Sequence, residues 1–292
     1  MADGVQVPSR ISVATLADLF LEWCREENSP ETYEWYKAFL QKFADHHGSL
    51  DVTSLKPLHV NGWAKRWPNQ NTRRSAIICV KRIVSWGLQE GYLASDPLRT
   101  LKKPAATRRE RILAPDEHKR ILGATRGRAF KMFFFALSES GARPGEVARV
   151  SAEDFDGETW VFKKHKTAKR TGKPRVIYLT PPLAKLCRRL VVQNGDGPLF
   201  RNSRGKPWTR NAIRLRFQHL REKLKLDGVV AYTVRHTFCT NGLEAEVPIA
   251  TMSELLGHSS TRMVSMHYNH LAEKREHLLQ AARKATGRGK CA

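Results

Sequence analysis

Apolar residues recur at helical spacing through the first hundred residues of the chain, and short polar breaks divide them into four segments. At one break, Ser29 supplies a hydroxyl for an N-cap and Pro30 follows in the favoured first position of a helix. Because no strand pattern is visible, these segments predict a compact four-helix domain at residues 12–98. The predicted helices cover residues 14–27, 31–46, 56–66 and 72–89.

The second half of the chain mixes two periodicities. Short apolar runs at residues 160–162 and 175–179 flank a basic turn and predict a pair of antiparallel strands. The fold class is therefore mainly α with a small antiparallel β-sheet, and residues 112–285 are expected to form an α+β domain. Helical spacing predicts helices at residues 115–122, 128–140, 181–192 and 209–226, and then to about residue 284.

Three stretches fall outside this pattern. Residues 1–11 are expected to form a disordered arm, and residues 286–292 a mobile basic tail. Residues 99–111, with Lys102 and Lys103, predict a basic linker between the two domains. Such a linker can follow a phosphate backbone, or it can be only an exposed joint. With no sizeable domain before residue 12, binding to separate arm-type DNA sites is not expected.

The charge of the chain indicates a polyanionic partner. Its 51 Lys and Arg residues outnumber 28 Asp and Glu, which gives a formal net charge of +23. Such a surface binds nucleic acid through counterion release, although a ribosomal or membrane-surface protein or a simply solvated basic surface also fits. Clustering of the cations favours a binding face over solvated charge. The candidate DNA contacts are Arg73, Arg74, Lys81, Lys102, Lys103, Lys164, Lys169, Arg210 and Arg214.

Several protein classes are disfavoured by what the sequence lacks. No apolar run approaches the ~20 residues that cross a bilayer, and no secretory signal is visible, so a cytoplasmic protein is expected. The five cysteines have no metal-ligand spacing and are expected to be reduced, mostly buried thiols. No structural metal and no P-loop nucleotide site are expected.

Three local signals fix the backbone of polar residues. Arg143 follows a Gly-Ala turn, Pro144 can begin the next helix, and Glu146 can either hold the Arg143 guanidinium or complement the helix dipole. Tyr232 and Arg235 stand three residues apart and so share one helix face.

The third signal is Gly257, which can end a helix in the left-handed conformation and so fix the backbone of His258. His258 then suits an active-site role, or it is a structural histidine that bonds a neighbouring carbonyl.

Four motifs in a fixed order closely resemble the tyrosine recombinase (phage integrase) family. They are Gly-Ala-Arg-Pro-Gly-Glu at 141–146, Val-Arg-His-Thr-Phe at 234–238, Leu-Leu-Gly-His-Ser-Ser at 255–260 and Tyr-Asn-His-Leu at 268–271. The resemblance covers residues 12 to about 285. It implies a SAM-like helical core-binding domain followed by the α+β catalytic domain of that family.

The resemblance also implies a role for each matching residue. Arg143 and Arg235 match the arginines that grip the scissile phosphate, for which a planar guanidinium is suited. Tyr268 matches the nucleophile that forms a 3′-phosphotyrosyl link and frees a 5′-hydroxyl. His258 matches a hydrogen-bond donor or proton carrier. Lys166 best matches the lysine that protonates the leaving oxygen, with competitors at Lys163, Lys164, Lys169 and Lys173.

Two departures from the family pattern concern the same segment. Tyr232 stands where the family usually has histidine; a phenol with a pKa near ~10 is a poor base, so its expected role is to donate one hydrogen bond to a phosphate oxygen. Alternatively, Tyr232 only packs at the helix start. Tyr268 follows His258 by ten residues, where nine is commoner, and a longer loop can absorb this. His267 and His270 mimic a metal pair but are not expected to bind metal.

The implied function is that of a site-specific DNA recombinase or integrase. It needs no cofactor, because the phosphotyrosyl bond conserves the phosphodiester energy. The implied partner is double-stranded DNA with inverted-repeat half-sites, bound by a homodimer and by a homotetramer at synapsis, with the C-terminal tail docking on a neighbour. Two alternatives remain open: a type IB topoisomerase, and a DNA-binding protein of the same fold with weakened or no catalysis, which Tyr232 keeps open.

Overall fold

A computed structural model describes residues 10–107, 111–163, 172, 174–258, 260–262 and 264–265. The chain divides into two compact units, residues 1–108 and 109–292. The class predicted from the sequence is confirmed, since the described elements are mostly helical with one small antiparallel sheet. Most of the predicted arm, the mobile tail and eight single residues lie outside the described residues: Lys164, Lys166, Lys169, Lys173, His267, Tyr268, Asn269 and His270.

Among the described residues of the first unit are four α-helices, and polar side chains begin three of them. The Oγ atoms of Ser12 and Ser29 and the Oδ1 of Asn69 each accept a backbone N–H three residues ahead, as N-caps do. Pro30 occupies the first helical position, as predicted. The helices are α1 (Val13–Glu27), α2 (Pro30–His47), α3 (Pro57–Ala64) and α4 (Gln70–Gln89).

Aromatic rings make much of the core of the first unit. Phe20 is fully buried and meets the edges of Tyr36 and Trp86, with ring centroids 5.0 Å and 5.6 Å away. Phe43 lies 4.8 Å from Trp63 in the same way. Burying such a side chain stabilises the fold by roughly 1.5–3 kcal/mol. Apolar packing therefore stabilises this unit.

The segment after α4 lies against α4. Leu98 and Leu101 are buried. Leu101 falls within residues 99–111, which were predicted as a linker because they lack helical periodicity. We name residues 98–107 the strap. Four side chains of α4 bind its backbone: Gln70 donates to the Ala105 carbonyl (2.9 Å), Asn71 donates to and accepts from Thr107 (2.9 Å each), Arg74 donates to the Pro104 carbonyl (2.6 Å), and Lys81 donates to the Leu98 and Leu101 carbonyls (3.2 and 3.0 Å).

The second unit surrounds the apolar helix α6. Phe133, Phe134 and Leu137 of this helix are fully buried, and Phe130 meets Trp208 and Phe217 edge-on. The described helices are α5 (Pro115–Ala124), α6 (Arg128–Ser140), α7 (Pro144–Arg149), α8 (Pro181–Asn194), α9 (Arg210–Leu224), α10 (Ala231–Glu244) and α11 (Ile249–Leu256). Strands β1 (Thr159–Phe162) and β2 (Arg175–Tyr178) pair antiparallel, with Thr159 opposite Tyr178 and Phe162 opposite Arg175.

No helix in the described part of the chain is long and apolar enough to cross a membrane. Within the same residues, no group of three or more His, Cys, Asp or Glu side chains is placed to hold a metal ion. The cysteines that the structure describes are buried: Cys24, Cys79, Cys187 and Cys239.

Candidate active site

The turn between α6 and α7 sets the position of Arg143. Gly141 ends α6 with φ of 57°, a left-handed conformation that suits glycine. A Cβ atom at Gly141 would also lie 2.3 Å from the ring of Phe238, so no larger residue fits there. Pro144 then begins α7, as predicted, which leaves Arg143 at the N-cap with an extended backbone.

Glu146 holds Arg143 at two points. The Arg143 backbone N–H donates to Oε2 (2.7 Å), and its guanidinium donates to Oε1 (2.9 Å). Of the two roles that the sequence left open for Glu146, the structure therefore shows the hold on Arg143. Glu146 is buried, which raises its pKa, but the charges of Arg175 and Arg143 outweigh burial and hold the pKa of this carboxyl below its usual range. The carboxylate therefore stays charged at neutral pH.

Arg235 is buried on α10, with 4% of its surface exposed. Its guanidinium donates to the Gly141 carbonyl (2.8 Å) and to the Leu256 carbonyl (2.6 Å). Burial, together with the positive charge of Arg143, lowers the pKa of Arg235 to about 10. Arg235 therefore remains a cation at neutral pH, but one that lacks the solvation that water gives an exposed arginine.

The C-terminal end of α11 presents His258. The His258 N–H donates to the Ser253 carbonyl and the Gly257 N–H to the Glu254 carbonyl, both at 2.8 Å, which is the Schellman arrangement with Gly257 at φ of 64°. This confirms the predicted helix end at Gly257.

The ring of His258 meets Arg235. Nε2 of His258 lies 3.1 Å from the Arg235 guanidinium, and because arginine only donates, Nε2 accepts. A neutral ring in this geometry carries its hydrogen on Nδ1. The role of donor or proton carrier toward a phosphate stays a prediction.

Three arginines gather at this helix end, where the dipole favours cations. Arg143 donates to the Gly257 carbonyl (3.2 Å), Arg235 to that of Leu256, and Arg175 to that of Leu255 (2.8 Å). Two of these guanidinium groups pair with the Glu146 carboxylate, Arg143 at 2.9 Å and Arg175 at 3.7 Å, and the charge of Glu146 also acts on Arg235. Among the described residues the site carries more positive than negative charge. This suits an anion that accepts hydrogen bonds through two oxygens, such as a phosphate diester.

Arg175 was not singled out from the sequence. It begins β2 at the end of a basic turn, and its sequence position indicated only the first residue of a strand. The structure buries it to 6% exposure. The sequence signal was faint: an arginine opens an otherwise apolar strand.

Tyr232 differs from Arg235 in its surroundings, although both lie on α10. Its side chain is 47% exposed, its ring lies 6.2 Å from that of His236, and its hydroxyl has no hydrogen bond within the described residues. Its hydroxyl is therefore accessible, which fits either a phosphate contact or a ring at the helix start.

The candidate DNA contacts fall into two described groups. Arg73, Arg74 and Lys81 bind backbone carbonyls of their own unit, Arg73 that of Trp67 at 3.0 Å, so their side chains already have structural partners. The other group consists of exposed residues, namely Lys102, Lys103, Arg210 and Arg214. Lys164, Lys169, the predicted general acid Lys166 and the predicted nucleophile Tyr268 lie outside the described residues.

Comparisons with known proteins agree with this geometry. The model of the phage integrase family matches residues 111–275, more than half of the chain. A tyrosine recombinase XerC-like protein of Caldanaerobacter subterraneus subsp. tengcongensis is 21% identical, over 90% of this chain and 81% of its own length.

Two solved structures share the fold. The Tn1549 transposon integrase in complex with transposon right end DNA is 17% identical with a TM-score of 0.71, and covers 88% of this chain and 95% of its own. A lambda integrase tetramer bound to a Holliday junction is 12% identical with a TM-score of 0.72, and covers 89% of this chain and 78% of its own. The chain therefore belongs to the phage integrase family and is a tyrosine-type, site-specific DNA recombinase.

Proposed function

We propose that this site cleaves and rejoins DNA through Tyr268. The observation that carries the proposal is that Arg143, at the N-cap of α7, and Arg235, on α10, both donate to carbonyls at the end of α11, beside His258. Buried guanidiniums in excess over carboxylates favour a bound anion, and most of all one whose negative charge grows during reaction. A phosphodiester at its pentacoordinate transition state is such an anion.

The proposed reaction exchanges one phosphodiester for another. The Tyr268 oxygen attacks phosphorus and gives up its phenolic proton to a proton carrier, the role that the motif implies for His258. The bond to the 5′ oxygen breaks, and a 3′-phosphotyrosyl ester forms. Lys166 gives a proton to the leaving 5′ oxygen. Attack by a 5′-hydroxyl from a second strand reverses these steps and releases Tyr268, so bond energy is conserved. The roles of Tyr268 and Lys166 rest on the sequence motifs.

Each arginine of the site contributes differently to this reaction. Arg143 is partly exposed, with Glu146 fixing one edge of its guanidinium, so its remaining N–H groups can bind a phosphate oxygen. Arg235 is more deeply buried and stabilises charge in low dielectric surroundings, where each hydrogen bond is stronger. Tyr232 is proposed to add one hydrogen bond from its exposed hydroxyl.

The proposed substrate is double-stranded DNA with inverted half-sites, bound by two copies of the chain and by four at synapsis. In support, the Tn1549 and lambda integrases were solved with DNA, the latter as a tetramer on a Holliday junction. The net charge of +23 supports the same partner. Residues 12–98 and 112–285 are proposed as the core-binding and catalytic domains, working in the cytoplasm.

The test uses a nicked suicide substrate carrying the cognate site. Wild-type protein is expected to form a covalent adduct, and Tyr268→Phe none, because the phenyl ring lacks the attacking oxygen. Tyr178→Phe, which changes an exposed tyrosine on β2, is the matched control and should form the adduct normally. An adduct that persists in Tyr268→Phe, or a wild-type protein that binds its site without cleaving it, contradicts the proposal.

The same substrate tests Tyr232. Tyr232→Phe is expected to slow cleavage, because phenylalanine has no hydrogen-bond donor. Tyr232→His is expected to be tolerated, because histidine, like tyrosine, can donate a hydrogen bond to the phosphate. Cleavage by Tyr232→Phe at the wild-type rate would remove Tyr232 from the site.

A topoisomerase would instead relax supercoiled plasmid that lacks any defined site. The relatives and structures described above are recombinases and integrases, which favours the site-specific reaction.

A further inference from the structure

Arg175 is a buried cation with no place in the reaction proposed above. Its guanidinium donates to the carbonyls of Val176 (2.9 Å), Glu254 (3.3 Å) and Leu255 (2.8 Å), and its Nε lies 3.7 Å from Oε1 of Glu146. Apart from Val176, the next residue on β2, these partners belong to the end of α11 and to the carboxylate that holds Arg143. Arg175 therefore contacts the supports of the site.

The guanidinium of Arg175 also packs directly against Gly257. A Cβ atom built on Gly257 would lie 2.7 Å from its Cζ, Nε and Nη1 atoms. The turn that presents His258 thus rests directly on the guanidinium plane. The same turn supplies the Gly257 carbonyl that Arg143 binds at 3.2 Å.

Arg175 differs from the two arginines proposed to grip phosphate in its sequence position and in its contacts. It matches none of the four family motifs, and its guanidinium lies directly against the Gly257 backbone. Burial does not separate them, because Arg235 is buried as well. Only 6% of Arg175 is exposed, and both of its terminal nitrogens donate to backbone carbonyls. Burial lowers the pKa of Arg175, and the charge of Glu146 partly restores it. Burial deprives the Arg175 cation of solvation by water. In this position its planar guanidinium contacts both α11 and Glu146.

We propose that Arg175 is a positioning residue for strand cleavage, which places His258 through the end of α11 and Arg143 through Glu146 and Gly257. The inference rests on the proposed function, because it assigns Arg175 to the geometry of that reaction. Arg175 does not touch the DNA in this scheme. Its loss is therefore expected to change the rate of cleavage and leave the affinity for DNA nearly unchanged.

The first measurement separates rate from affinity. Arg175→Met keeps an unbranched side chain of similar stem and removes every side-chain donor. Single-turnover cleavage of the suicide substrate is expected to fall about 100-fold, the effect of displacing a catalytic group by about 1 Å. The dissociation constant for the DNA site should change by less than about threefold, since Arg175 itself makes no contact with the DNA in this scheme.

Arg201→Met is the matched control for a structural role. Arg201 also lies in the second unit and donates to three backbone carbonyls, those of Asn194, Asp196 and Pro198. It is expected to lower thermal stability and to cleave, per folded molecule, within about threefold of wild type. Equal cleavage by Arg175→Met and Arg201→Met would overturn the positioning role.

A double-mutant cycle with His258→Ala tests whether Arg175 acts through His258. If it does, the double variant should lose at least about tenfold less activity than the product of the two single losses. Losses that multiply fully would contradict the coupling. Arg175→Lys covers the case in which Arg175→Met does not fold: a lysine keeps the charge beside Glu146 but lacks the fork, so about a tenfold loss is expected. A wild-type rate in Arg175→Lys would also contradict the inference.

Failure of the two proposals gives different results. If wild-type protein binds its site and forms no adduct, the proposed function is wrong, and the role of Arg175, which depends on it, is wrong as well. If wild-type protein forms the adduct and Arg175→Met forms it at the rate of Arg201→Met, only the role of Arg175 fails.

Discussion

Both units of the chain use cationic side chains to hold backbone carbonyl oxygens, in different surroundings. In the first unit, Arg74 and Lys81 hold the strap from half-buried positions on α4, where water can replace a carbonyl. In the second unit, Arg175 and Arg235 are both buried, and Arg175 lies 3.7 Å from the Glu146 carboxylate. A half-buried cation on a carbonyl is part of the scaffold. A buried cluster of cations stays short of negative charge until an anion binds, and so marks a binding site.

The largest expected effect comes from removing a buried cation. Arg235→Met should reduce single-turnover cleavage by about 10³-fold, because it removes charge stabilisation from the transition state. The counterpart in the first unit is Arg66→Met, which removes an exposed arginine that donates to the Trp63 carbonyl at 3.2 Å. It should lower the free energy of unfolding by about 1 kcal/mol and leave the rate of cleavage within about threefold. Similar loss of cleavage in both variants would break the comparison.

The next effect concerns the carboxylate among the cations. Glu146→Gln keeps the shape of the side chain but leaves buried arginine charge unpaired, and should lower the free energy of unfolding by about 3 kcal/mol at pH 7. Glu117→Gln is the control; Glu117 pairs with Arg111, whose side chain is 33% exposed, and within the described residues it forms no ion pair with a buried arginine such as Arg175, so it should contribute about 1 kcal/mol or less. Urea unfolding of the full chain measures both. Equal losses would show that burial does not distinguish the two pairs.

Acid sharpens the same test. The pKa of Glu146 is lower in the folded state than its usual 4.5, because the arginine charges outweigh burial. Its stabilisation is therefore fully present above pH 4.5 and is lost as pH falls through the folded pKa. The difference in stability between wild type and Glu146→Gln should shrink over that window. A difference that stays constant would show that Glu146 acts through its hydrogen bonds alone.

The smallest effect is expected at the strap. Asn71→Ala removes two hydrogen bonds to the backbone of Thr107 and should lower stability locally by about 1–2 kcal/mol. Faster hydrogen exchange in residues 99–107 of the full chain measures it, with cleavage unaffected. Gln41→Ala, which breaks an exposed side-chain pair with Asp45 on α2, is the control and should leave that exchange unchanged. Unchanged exchange in Asn71→Ala would mean that the strap does not depend on these bonds.

Local signals in the sequence predicted much of the fold. The helix start at Pro30, the helix over residues 128–140 and the helix end at Gly257 agree with the structure because each depends on neighbours within one turn. The strap and Arg175 were missed because their partners are distant in sequence. Arg175 meets Glu254 and Leu255, which lie 79 and 80 residues further along the chain.

The candidate site shows the same difference between features set by local sequence and features set by distant contacts. By itself, the sequence determined the family, the order of its motifs and the conformations of the turns that carry Arg143 and His258, since those turns follow from glycine and proline in fixed places. Only the tertiary structure decided which cations are buried and which face solvent. Burial depends on how α7, β2, α10 and α11 pack together, and it is burial that turns Arg175 from an ordinary basic residue into a support of the site.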